Sequence, residues 1–176
     1  ANSQNCKQAL EAGAGGVIVP MIENASQLES IKDACCWPPT GNRGVGFSRA
    51  NLFGKYFLEY TKEAQAPILI AQIEHINAVN NLEEILAVDH IDVFFVAPSD
   101  LAASMGYIGK SSDQTVLDTI NDSLAKIVRS GKTAGTLVTD QNINHYREIG
   151  VRLFAAPVHN WISDGIENLV KKSKQN

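Results

Sequence analysis

Two carboxylates stand where a sequence of this kind could do chemistry. Glu74 follows the apolar run Ile68-Leu69-Ile70-Ala71-Gln72-Ile73, and Asp100 follows Val93-Phe94-Phe95-Val96-Ala97-Pro98-Ser99. Each run has the length and β-branched character of a buried strand. Acidic residues closing two consecutive parallel strands lie side by side. Two hard oxygen ligands suit Mg²⁺ or Mn²⁺, with Co²⁺ a third candidate, and leave positions for water and a chelating substrate. A 2-oxo acid such as pyruvate fills those positions. Two plainer readings stand beside this one: Asp100 as a helix N-cap, and Glu74 paired with a surface cation.

The elements that must position these groups form one repeating pattern. Strand-length apolar runs at 16–20, 68–73, 91–96, 134–138 and 153–156 alternate with segments of helical periodicity at 3–12, 24–34, 56–64, 77–86, 100–105, 113–130, 140–149 and 161–172. Such alternation predicts parallel strands joined by right-handed crossovers, either a doubly wound sheet or a (β/α) barrel. Gly13-Ala14-Gly15-Gly16 precedes a strand and does not follow one, so the phosphate-binding fingerprint of nucleotide-binding sheets is missing. The barrel is favoured. No repeat beyond the βα unit and no linker interrupts the chain, which reads as a single domain over 1–176.

Strand ends also nominate Pro20 and Leu137 as apolar pocket walls. The backbone N–H groups of Ser99 and Asp100 open a predicted helix and are placed to bind a carboxylate. The long turn-rich stretch 37–66 is expected to form an active-site wall. Within it, Arg43 reads either as an anion contact at the pocket or a subunit boundary, or as a loop anchor. His75, His90, His145 and His159 have no zinc-like spacing, and structural roles are expected for them. The vicinal Cys35-Cys36 and the third cysteine, Cys6, read as reduced thiols.

With 176 residues, 44% hydrophobic, 19% charged and a formal net charge of -4, the chain has the composition of a soluble protein. No basic stripe suits nucleic acid, and no apolar run approaches a membrane span. A cytoplasmic location is expected.

Four motifs occur in register with a known family. They are Val19-Pro20-Met21, Pro38-Pro39-x-Gly41-x-Arg43-Gly44-Val45-Gly46, Gln72-Ile73-Glu74, and Pro98-Ser99-Asp100-Leu101-x-x-Ser104-Met105-Gly106-Tyr107. Along essentially its whole length the chain resembles the HpcH/HpaI aldolases, class II enzymes that handle pyruvate and an aldehyde. The resemblance implies a (β/α)8 TIM-type barrel of which five units are present. It implies Glu74 and Asp100 as metal ligands, Gln72 beside the bound oxo acid, and cleavage or formation of 4-hydroxy-2-oxo acids through a metal-bound pyruvate enolate. Gln72 and Arg43 are the catalytic candidates; the plainer reading of Gln72 is a hydrogen-bonded polar residue inside the barrel. A homo-oligomer that exchanges its C-terminal helix is also implied.

Two departures qualify the resemblance. The family's acid/base histidine and its charge-stabilising arginine belong to strands that would precede Ala1-Asn2-Ser3, and Ala97 stands where glycine is usual. The expected activity is therefore a metal-dependent aldolase. The alternatives are a citrate-lyase-like or oxaloacetate-decarboxylating relative, or a non-catalytic fragment that binds metal or a 2-oxo acid.

Overall fold

A computed structural model of the chain describes residues 3–64 and 66–174. Ala1 and Asn2, which open the stretch read above as following earlier family strands, lie outside them. In chain order the elements are α1 (Ser3–Glu11), β1 (Gly16–Val19), α2 (Ala25–Cys35), a 3-10 turn (Arg49–Asn51), α3 (Phe57–Glu63), β2 (Ile68–Ile73), α4 (Ile76–Asn80), α5 (Leu82–Leu86), β3 (Val93–Val96), α6 (Pro98–Ser104), α7 (Gln114–Arg129), β4 (Ala134–Leu137), α8 (Ile143–Ile149), β5 (Leu153–Ala155) and α9 (Val158–Ser173).

All neighbouring strands pair in parallel, in the order β1-β2-β3-β4-β5. A doubly wound sheet would reverse direction at a switch point; unbroken sequence order is the wall of a barrel. The five strands make a curled half-barrel.

The register assigns every strand side chain to one of two faces. Val19, Leu69, Ala71, Ile73, Phe94, Val96 and Ala134 are buried on the helix side. They form one core with Leu28 and Ile31 of α2, Leu82 and Ile85 of α5, and Val116, Ile120, Leu124 and Ile127 of α7. The i, i+4, i+8, i+11 spacing on α7 is the apolar stripe a helix needs to cover a sheet. Asp113 caps that helix by accepting the Thr115 N–H at 3.0 Å.

The opposite, concave face carries Ile18, Ile70, Gln72, Phe95, Gly135, Leu137 and Ala155, paired in register. Gly135 has a steric reason: a Cβ there would lie 2.8 Å from Phe95 Cδ2, so the phenyl ring occupies the space a side chain would need.

Three sequence expectations need correction. The helix expected over 77–86 is two helices broken at Asn81, whose side-chain amide donates to the Glu23 carbonyl at 2.9 Å. The helix expected from 140 begins at Ile143, because Asn142 Oδ1 accepts the Thr139 N–H at 2.7 Å and builds a turn first. The stretch 37–66 connects α2 to β2 and so reaches the N-terminal ends of the strands, away from Glu74. One cavity there is lined by Arg43 and Tyr60 together with Gly15, just before β1, and Pro67, just before β2. It is not an active-site wall within this chain.

Candidate active site

Glu74 lies one residue past β2 and shares the concave face with Gln72. Its side chain is almost wholly withdrawn from water, with the residue 4% exposed. Oε1 accepts the Met21 N–H at 2.8 Å, which ties the end of β2 to the end of β1. Burial pushes the Glu74 carboxyl above its ordinary value; the Met21 N–H draws it back, and the charge of Asp100 raises it further.

That last effect places the two carboxylates within each other's field. Asp100 stands exposed in the first turn of α6, directly beyond β3. No lysine or arginine pairs with either residue among the described residues. Two neighbouring carboxylates with one backbone donor and no paired lysine or arginine among the described residues are a donor set that a divalent ion could complete. No group of three His, Cys, Asp or Glu side chains assembles among the described residues. Water and substrate oxygens would therefore fill the rest of an octahedral shell, as Mg²⁺ commonly accepts.

Gln72 is half-buried between its register partner Phe95 and the strand end. Leu137 is half-buried on the same concave face at the end of β4, while Pro20 is exposed immediately after β1. Ser99 and Asp100 are the second and third residues of α6, where backbone N–H groups have no intrahelical acceptor.

The chain is similar to known proteins in sequence and in fold. The family model described as HpcH/HpaI aldolase/citrate lyase matches residues 1–165. The chain belongs to the HpcH/HpaI aldolase/citrate lyase family. It is 42% identical over 156 residues to a 4-hydroxy-2-oxovalerate aldolase of Novosphingobium aromaticivorans, covering 88% of this chain and 59% of the relative. It is 42% identical over 141 residues to a hydroxypyruvate/pyruvate aldolase of Roseobacter denitrificans, covering 78% of this chain and 54% of the relative. The chain thus spans less than two thirds of the length of both. A crystal structure of an HpcH/HpaI aldolase/citrate lyase family protein from Burkholderia cenocepacia J2315 superposes with a TM-score of 0.89 at 30% identity, over 99% of this chain and 70% of that one.

Within this HpcH/HpaI chain, Arg43 does not join the carboxylates. It is 4% exposed, its Nη2 donates to the Tyr60 hydroxyl at 2.8 Å, and its guanidinium lies 5.2 Å from the Trp37 ring centre. Trp37 and Tyr60 meet edge to face at 5.5 Å. Gly41 makes the turn possible, since a Cβ there would fall 2.5 Å from the Cys36 carbonyl oxygen. Of the two sequence readings for Arg43, the geometry carries the loop anchor.

Two of the histidines make hydrogen bonds that fix local structure. His75 caps α4, its Nδ1 accepting the Asn77 N–H at 3.2 Å and standing 3.6 Å from Glu23 Oε2. His145 bonds Asn121 at 3.1 Å, and His159 lies in α9.

Sequence reasoning missed Met21 as the residue that holds Glu74. Met21 has φ 56°, a left-handed conformation uncommon for a side chain of its size. Backbone strain of this kind collects at sites where the surroundings impose it. Only its place just past a strand end hinted at such a role.

Proposed function

We propose that this chain carries the metal-binding and oxo-acid-binding part of a class II pyruvate aldolase, which cleaves or forms 4-hydroxy-2-oxo acids. The observation that carries the reading is the buried Glu74 carboxylate within the field of Asp100, with no lysine or arginine paired to either among the described residues. The names of its relatives, 4-hydroxy-2-oxovalerate aldolase and hydroxypyruvate/pyruvate aldolase, support the reaction class.

In this reading Glu74 and Asp100 hold Mg²⁺, Mn²⁺ or Co²⁺. The ion supplies Lewis-acid polarisation of the oxo acid when bound. Everything else is the work of the chain. The N–H groups of Ser99 and Asp100 orient the pyruvate carboxylate, and the Gln72 amide donates to an oxygen of the oxo acid. Leu137 and Pro20 form the apolar walls beside its methyl group and exclude water there. The aldehyde is the second substrate.

The reading extends to assembly. Helix α9 has sixteen residues and none is buried, although Val158, Trp161, Ile162, Ile166, Leu169 and Val170 are apolar. A monomer rarely leaves such a stripe in water, and docking on a second copy of the chain would cover it. No helix among the described residues is long and apolar enough to cross a membrane.

Exchange of the pyruvate methyl protons for deuterium, followed by NMR with Mg²⁺ or Mn²⁺, tests the chemistry. The expected result is metal-dependent exchange that EDTA and Glu74→Gln both abolish. Exchange that survives Glu74→Gln would remove the ligand assignment.

A further inference from the structure

We infer that Ser104 is a positioning residue that sets the separation of the two carboxylates, an inference that rests on the metal reading above. The Ser104 hydroxyl donates to the Leu101 carbonyl at 2.8 Å, and its oxygen accepts the Ile76 N–H at 3.0 Å. Leu101 directly follows Asp100, and Ile76 stands two residues after Glu74. One hydroxyl therefore ties the helix bearing Asp100 to the turn bearing Glu74.

Local geometry explains why that tie forms. Ile76 is the first residue of α4, so its N–H has no acceptor inside the helix. The capping side chain, His75, takes the Asn77 N–H instead. Ser104 meets the remaining donor from 28 positions away. A serine in the last turn of a helix commonly bonds a carbonyl one turn back, and that alone would be a local matter. The second bond, to another βα unit, is not local.

The tie matters because the carboxylates repel each other before a cation arrives. Met21 holds Glu74 from the β1 side and Ser104 holds its turn from the α6 side. Fixed between them, the pair is prepared for the ion and need not be drawn together by it. Outer groups that orient metal ligands in this way typically contribute tenfold or more to metal affinity. Ser104 lies in the Ser104-Met105-Gly106-Tyr107 motif, which the ligand assignment leaves without a role.

The test is Mn²⁺ affinity by electron paramagnetic resonance for wild type, Ser104→Ala, Ser104→Thr and Glu74→Gln, at a temperature where metal-free thermal melts show each protein folded. Ser104→Ala should weaken Mn²⁺ binding about tenfold. Ser104→Thr, which keeps the hydroxyl, should retain most of the affinity. If Ser104→Ala does not fold, Ser104→Cys, a poor acceptor of similar size, carries the same expectation. Wild-type affinity in Ser104→Ala, or in Ser104→Cys where that stands in for it, with binding lost in Glu74→Gln, would overturn the positioning role and leave the metal site standing. A loss in Ser104→Thr equal to that of Ser104→Ala would also overturn it. Failure of wild type to bind Mn²⁺ would remove both.

Discussion

At the scale of single residues, Glu74 combines burial, one backbone donor and a like-charged neighbour, and its carboxyl is held above the ordinary value of 4.5. Between its unfolded and folded pKa, such a group binds more protons in the folded state. Stability is therefore greatest below the unfolded value and declines as pH rises through the folded one. Metal-free Glu74→Gln should accordingly be more stable than wild type at pH 7 and lack that decline, as read by urea unfolding across pH. Added Mn²⁺ should reverse the order, stabilising wild type and leaving the variant unmoved. Arg43 makes the opposite prediction. Arg43→Ala removes a charged hydrogen bond and the stacking on Trp37, and should lower stability by roughly 2–3 kcal/mol. Mn²⁺ affinity should stay within error of wild type, because Arg43 stands at the N-terminal ends of the strands and the carboxylates at the C-terminal ends.

At the scale of elements, the helix-side core holds the strand ends in register. Phe94 is fully buried at the centre of β3, between β2 and β4. Phe94→Ala should cost about 3–5 kcal/mol in chemical denaturation, the usual range for a buried phenyl ring. The turn after α2 has a sharper constraint. Gly41→Ala would press a methyl group against the Cys36 and Asp33 carbonyls and should destabilise by about 1–3 kcal/mol. Much of this level was legible beforehand. The strand runs and the helical segment over 113–130 both follow from periodicity, which acts over neighbours in the chain. The break at Asn81 was not legible, because its amide is satisfied by Glu23, 58 residues away.

For the whole molecule, five parallel strands run in sequence order, and on their concave face Ile18 of the first strand is 58% exposed while Phe95 of the third is buried. The apolar side of α9 is likewise uncovered, with Trp161 51% exposed. If α9 docks on a second copy, Ile166→Glu should lower the assembly's mass in light scattering. The metal-free spectrum of the protein should not change, since Ile166 belongs to no core cluster. The sequence by itself determined the parallel βα alternation and the candidacy of Glu74 and Asp100, because strand periodicity assigns faces and strand ends assign the mouth of the barrel; the family and the role of Gln72 came from the resemblance of four motifs. Only the tertiary structure decided that Arg43 anchors a loop at the far end, that Met21 adopts a left-handed turn to hold Glu74, and that Ser104 joins the two carboxylate-bearing units. Each of those outcomes depends on a partner distant in the chain. Hydrogen bonds and cavities between such partners exist only once the strands have curled and their connections lie at opposite ends.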